Sequence, residues 1–254
     1  MSISFLSKLR FLLCATLIAP LCLFAQLTNQ TDANGKKQGP WKKYDKEGKL
    51  KYEGQFKDDK PTGKFTYYYP TGKVKTESVF SNNGTITRTK SYDEVNGKLM
   101  AVGKYVNEKK DSVWTYYNVD QVVIATEIYT NGIKTGTWKS YYPDGKLLEV
   151  KTYKNGLLDG PWEQYFESGA IRTKATYVKD KLDGVATYYQ GEKLKVAEGR
   201  FVKGLREGNW NYFKPDGSIE KTEKYKNGEL VGGPQLKKDP KDTGTKPPPK
   251  QEEE

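Results

Sequence analysis

Asn155-Gly156-Leu157-Leu158-Asp159-Gly160-Pro161-Trp162-Glu163-Gln164-Tyr165-Phe166 is the stretch whose reading decides the fold. Asn-Gly between apolar-flanked runs is a strong two-residue hairpin signal. The Gly-x-Trp-x-x-Tyr block behind it recurs along the chain, and repeats are the first thing to look for in a sequence. The small residue two places before the aromatic anchor falls at Gly39, Gly63, Thr87, Ser112, Gly136, Gly160, Gly184, Gly208 and Gly232. Every interval is 24 residues except one of 25, which comes from the turn Asp93-Glu94-Val95-Asn96-Gly97.

The anchor slot holds Trp41, Phe65, Thr89, Trp114, Trp138, Trp162, Ala186 and Trp210. Three residues on stand Tyr44, Tyr68, Tyr92, Tyr117, Tyr141, Tyr165, Tyr189 and Phe213, aromatic in every copy. Each copy closes on Phe56, Phe80, Tyr105, Tyr129, Tyr153, Tyr177, Phe201 or Tyr225. Each also carries a second turn signal, such as Pro70-Thr71-Gly72 or Pro143-Asp144-Gly145, with Pro early and Gly where positive φ is needed. Between turns, runs such as 138–142 and 147–153 are aromatic and β-branched, and too short for helices. One period is therefore two antiparallel strands. Eight periods predict an all-β, elongated antiparallel sheet of about sixteen strands, roughly 75 Å long at ~4.8 Å per strand.

Alternation along a strand puts the anchor and the Tyr three places on at opposite faces. The reading expects each ring to pack against its counterpart 24 residues away. It also expects the copies with Thr89 and Ala186 to be underfilled, with Thr89 behaving as an ordinary surface residue.

The chain has 254 residues, 43 Lys+Arg, 32 Asp+Glu and no His. Beyond residue 25, Leu, Ile, Val and Phe make up only about 17% of residues, a level that suggests disorder. The 19 Tyr and 5 Trp oppose that reading, because all lie beyond residue 25 and disordered chains are poor in aromatics. Residues 1–25 read as a secretory signal: Lys8 and Arg10, then an apolar run over 11–24, then Ala25 before Gln26. That run contains Pro20 and falls short of the ~20 apolar residues of a membrane span. Both cysteines, Cys14 and Cys22, lie inside it, so the mature chain is expected to lack thiols. Removing Lys8 and Arg10 lowers the formal charge from +11 to +9. Residues 26–33 are expected to be a flexible N-terminus, 34–233 the array, and 234–254 a disordered Pro/Lys/Glu-rich tail. The expected location is exported: periplasmic, outer-envelope or extracellular.

Chemistry-bearing motifs are missing. There is no His for base catalysis or metal ligation, and no Cys-x-x-Cys, phosphate loop or nucleophile elbow. Carboxylates such as Asp58-Asp59, or Glu47 with Glu53, read as solvated turn and strand charges. Lys42-Lys43-Tyr44 and Lys49-Leu50-Lys51-Tyr52 have the basic–aromatic interleaving of nucleic-acid surfaces, but acids alternate through the same strands. No enzyme activity, cofactor, metal or nucleic-acid partner is expected.

The unit resembles the MORN-repeat variant, over roughly 34–233, on its Asn-Gly, Gly-x-Trp-x-x-Tyr and Gly-Lys-Leu blocks. Bacterial chains of this kind are often labelled YwqK-like antitoxins. The resemblance implies stacked β-hairpins acting as an interaction surface or membrane-associated scaffold, and it brings no catalytic residue. The sequence thus points to an exported repeat protein presenting an elongated aromatic surface to a protein partner. Binding of anionic lipid or acidic glycan through basic strands, and an antitoxin-type neutralising binder, are the alternatives. The sequence leaves the oligomeric state, the partner and the binding face open.

Overall fold

The computed structural model describes residues 27–233. The expected signal at 1–25 and the tail at 234–254 lie outside the described residues. The fold is all-β, with twenty strand segments joined in an antiparallel meander. Two strands are each interrupted by one residue: Ile133–Lys134 continues as Gly136–Tyr141, and Lys181–Leu182 as Gly184–Gln190. With these joined, sixteen strands form the eight expected hairpins, from Lys37–Tyr44 with Leu50–Lys57 to Leu205–Phe213 with Ile219–Lys226. Gln30–Thr31 adds a short strand at one edge and Glu229–Gly232 at the other. No pairing joins the two edges among the described residues, so the sheet is open.

Both turn chemistries appear as the sequence implies. At Pro70-Thr71-Gly72 the Tyr69 N–H donates to the Lys73 carbonyl and the Gly72 N–H to the Tyr69 carbonyl, both at 2.9 Å, with Gly72 at φ 83°. This is the three-residue loop of a type I turn followed by a left-handed residue. At Asn155-Gly156 both residues have positive φ, 52° and 87°, as a type I′ turn requires. Asp58-Asp59 and Lys179-Asp180 adopt the same conformation without glycine. The Gly132, Gly156 and Gly228 amides donate to the carbonyls of Lys110, Lys134 and Arg206. Each I′ turn is thereby tied to the start of its own copy's first strand.

Two bulges per repeat shape the sheet. Lys43 pairs with Tyr52 but Tyr44 pairs with Leu50, leaving Lys51 as an extra residue. The same shift occurs before the recurring aromatic in all eight hairpins. The second bulge explains the small residue before each anchor. Gln55 pairs with Thr62 but Glu53 with Thr66, so Gly63, at φ 63°, lies in a bulge opposite Gly54. Ser112 holds the equivalent place at φ 61°. Thr87 is β-branched and does not adopt positive φ, and its strand pairs with Val74–Ser81 without any shift.

Every side chain that the fold buries is on one face. Phe65, Ser78, Thr89, Ala101, Trp114, Tyr129, Thr173, Ala175, Ala186, Trp210 and Glu223 all share the face of Trp41, by register and alternation. This anchor face is the core. The opposite face carries the Tyr44-to-Phe213 series and is called the tyrosine face below. Substantial strand contacts are confined to strands adjacent in sequence, so no second layer covers either face among the described residues.

The stretch expected to be loose, 26–33, is tied down where it is described. Gln30 and Thr31 pair with Gln38 and Lys37. Asn29 donates its N–H to the Pro40 carbonyl at 2.9 Å and accepts the Lys42 N–H on Oδ1 at 2.7 Å. With Pro40 lacking a donor, these contacts cap the first edge against further strand pairing.

Candidate interaction surface

On the anchor face the rings do not touch their counterparts 24 residues away. Those lie two strands apart, about 9.6 Å; rings reach across that distance only off-register over small residues, as Tyr188 meets Trp210 at 6.2 Å past Ala197 and Gly199. Anchors pack instead on the closing aromatics of intervening strands. Phe65 meets Phe56 at 5.2 Å and Phe80 at 4.9 Å; Trp210 meets Phe201 at 5.0 Å and Tyr225 at 6.3 Å. Trp41, Trp114, Trp138 and Trp162 follow the same pattern with Phe56, Tyr105, Tyr153 and Tyr177.

What lies beneath each anchor decides its depth. A Cβ on Gly54, Gly103 or Gly199 would fall 2.1–2.6 Å from ring atoms of Phe65, Trp114 or Trp210. Each of these rings therefore lies flat on a glycine eleven residues earlier, and they are the deepest anchors, at 2%, 4% and 1% exposed. Trp138 and Trp162 have Glu127 and Lys151 in that slot and are only half-buried. The indoles of Trp114, Trp138 and Trp210 donate to the carbonyls of Lys104, Ile128 and Arg200 at 3.1–3.2 Å. Trp162 donates instead to Glu149 Oε1 at 2.7 Å, and its strand meets its neighbour with the bulge displaced, so that Lys151 pairs directly with Trp162.

The slots read as underfilled are closed. Ala186 is 0% exposed, against Ala175 at 8%. Thr89 is 6% exposed rather than a surface residue, and its hydroxyl pairs at 3.1 Å with that of Ser78, itself 5% exposed. The pair replaces the ring-on-glycine contact in the third copy, whose first strand meets its neighbour without the second bulge. Four residues before the anchor, Lys37, Lys110, Lys134 and Arg206 cap the rings of Trp41, Trp114, Trp138 and Trp210 at 4.3–5.0 Å. Cations on this face are thus largely engaged. Neither these cations nor the glycines were singled out in the sequence, though both recur at the 24-residue period.

The tyrosine face is different. Tyr68 and Tyr92 donate their hydroxyls to Glu53 at 2.6 Å and Glu77 at 2.8 Å on the preceding strand. Tyr165 donates to Glu163 beside it. The Tyr68 hydrogen bond, with Lys42, holds the Glu53 carboxyl below its ordinary range, and Lys64 with Tyr92 does the same for Glu77. Desolvation and the carboxylate partner push the Tyr68 and Tyr92 phenols up to about 12. Lys195 stands 4.4 Å over Phe213, while Tyr44 is half exposed at the edge. Tyr117, Tyr141 and Tyr189 complete the row, each paired across the hairpin with Val123, Leu147 or Lys195.

Charge is unevenly shared between faces. Leaving aside the bulge residues Lys51, Lys75, Arg172 and Glu220, registers and alternation place sixteen Lys and Arg with eight Asp and Glu of the strands on the tyrosine face, and seven with three on the anchor face. Some of the tyrosine-face cations form exposed or half-exposed ion pairs, such as Lys42 with Glu53 at 3.3 Å and Lys174 with Glu163 at 3.6 Å. Lys90, Lys139 and Lys224 are exposed and in no ion pair. This face can offer stacking area and long-range attraction for anions.

The MORN repeat variant family model matches at four places, residues 37–58, 61–82, 134–155 and 158–179. These are the first, second, fifth and sixth copies, each match beginning at or within a residue of the start of a strand. No curated protein matches. Matching solved structures include the crystal structure of TcdB2-TccC3, at 12% identity and TM-score 0.24 over 74% of this chain and 13% of that one. Another is the Photorhabdus luminescens Tc holotoxin pore, at 12% identity and TM-score 0.23 over 78% and 13%. The chain spans about an eighth of the length of the chains it matches.

Proposed function

We propose that this chain is a non-enzymatic, exported repeat protein whose tyrosine face binds an extended macromolecule of the cell envelope. One observation carries the reading: all the buried side chains lie on the anchor face, and an aromatic row with an excess of cations is left uncovered on the other. Tyr side chains supply contact area at low entropic cost, which is why they are enriched at interfaces. The array form supports a multivalent mode, because each copy offers a similar, individually weak site and the sites sum through the rigid sheet. Export rests on the signal-like character of residues 1–25, and N-terminal analysis of envelope-fraction material is expected to find Gln26 at or near the start.

The test is a pull-down from envelope extract with the mature chain as bait. Replacing Tyr117 and Tyr141 by Ser is expected to abolish capture while circular dichroism stays β-sheet. Undiminished capture by that variant would contradict the assignment of the face.

A further inference from the structure

Resting on the reading of the tyrosine face as a binding surface, we propose that its occupant is a linear, sparsely charged acidic polysaccharide lying across the strands along the tyrosine row. The charge spacing selects this chemistry. Sixteen cations less eight acids leave eight net charges over sixteen strands, or one per roughly 9 Å at ~4.8 Å per strand. Duplex nucleic acid carries one charge per ~1.7 Å of axis, some five times too dense. A flat lipid surface is a poor match for a long, twisted single sheet, which meets a plane over only part of its length. A glycan with one carboxylate per disaccharide has the matching density.

The aromatic pitch agrees independently. One ring of the row recurs every second strand, about 9.6 Å apart, a length of the order of one disaccharide in an extended chain. Sugar rings present C–H faces that stack on aromatic faces. The hydrogen bonds of Tyr68 to Glu53 and Tyr92 to Glu77 tie those hydroxyls back to the preceding strand and fix the side chains in place. Beside the row, two residues before Tyr92 and Tyr141 on the same face, stand the exposed Lys90 and Lys139, neither in an ion pair, with Lys90 across the strand from Glu77. Ring and cation stand together in these two copies and, with Lys42 before Tyr44, in the first, one for the sugar and one for its carboxylate.

The experiment is calorimetric titration of the full mature chain with polygalacturonate oligomers of graded length. Neutral dextran, single-stranded DNA and anionic phospholipid vesicles serve as parallel probes. Affinity for polygalacturonate is expected to rise with length and level off near the ~75 Å span of the array, and dextran is expected not to bind. Lys90→Glu with Lys139→Glu is expected to weaken binding at least tenfold with the sheet intact by circular dichroism, and Lys90→Gln with Lys139→Gln to weaken it less. Tighter binding to DNA than to polygalacturonate at equal salt, or binding to vesicles alone, would overturn the inference. Absence of polygalacturonate binding, with a protein still captured through the tyrosine face, would overturn it too and leave the proposed binding face standing. Loss of both would remove the two together.

Discussion

Replacing Gly199 by Ala is expected to reverse the usual sign of that substitution in a strand. Gly199 lacks positive φ, so an Ala there is free of backbone strain, and the entropy it removes from the unfolded chain ordinarily stabilises by about 0.4–1 kcal/mol. Here the new Cβ would lie 2.1–2.5 Å from three ring atoms of Trp210, well inside contact. The ring has nowhere to go: it is 1% exposed, hydrogen-bonded to the Arg200 carbonyl, and flanked by Phe201 and Tyr225. Overpacking of this kind costs about 1–3 kcal/mol, and outright expulsion of the ring approaches the ~3–5 kcal/mol of a Trp→Ala change. Once the entropic gain of ~0.4–1 kcal/mol is set against it, the net expectation is a loss of up to about 2.5 kcal/mol if the ring is only overpacked, and about 2–4.5 kcal/mol if it is expelled. Urea unfolding followed by far-ultraviolet circular dichroism measures it. Amide exchange in Leu194–Val202 and Leu205–Phe213 localises it, since an array need not unfold as one unit. In a Trp210→Ala background the same Gly199→Ala change is expected to be neutral or stabilising, a coupling of about 2 kcal/mol in the double-mutant cycle. Stabilisation by Gly199→Ala with Trp210 present would refute the ring-on-glycine account.

Trp162→Ala is expected to cost less than Trp210→Ala, about 1–2 against 3–5 kcal/mol, because Trp162 is half-buried and faces Lys151 rather than a glycine across the strands; equal losses in the same unfolding assay would contradict this. Thr89→Ala is expected to cost about 1–3 kcal/mol by stranding the Ser78 hydroxyl, and adding Ser78→Ala should restore part of it. Stability should fall at both pH extremes. The depressed Glu53, Glu77 and Glu223 carboxyls stabilise the fold fully above the ordinary value of 4.5, and that share is lost as pH falls through their lower folded values. For Glu223, burial opposes the shift, but hydrogen bonds from Lys221, Tyr212 and Tyr225 outweigh it. The raised Tyr68 and Tyr92 phenols stabilise fully below 10, a share lost as pH rises toward about 12. Phenolate absorbance against pH, folded and in denaturant, checks the second limb: identical midpoints would show that the hydroxyl–carboxylate bonds carry nothing.

The hairpin architecture was legible because its signals are local. Asn155-Gly156 needs only two adjacent residues to dictate a type I′ turn, and the 24-residue period repeats it often enough to read. The opposition of Trp and Tyr faces followed from alternation alone. Packing was not legible in the same way. The period invites each ring to be matched with its own counterpart, but that counterpart is two strands away, with a closing aromatic nearer. Phe65 therefore packs on Phe56 and Phe80, and lies on Gly54. Finding Gly54, Gly103 and Gly199 required the register between copies, which the bulge at Gly63 and its equivalents displaces. Thr89 was misplaced on the surface for the same reason: its partner, Ser78, is eleven residues away and is identified only by strand pairing. The binding face stayed open in the sequence because both faces carry aromatics. What separates them is burial, and burial depends on which rings find a glycine beneath them.

The most direct test places a photo-crosslinking residue in the exported chain in living cells, at Lys139 or Lys174 on the tyrosine face and at Gln164 on the anchor face. Capture of envelope material from Lys139 and Lys174, with none from Gln164, is the predicted result. Capture from Gln164 alone, or equally from all three positions, would contradict the division into a packed face and a presented one.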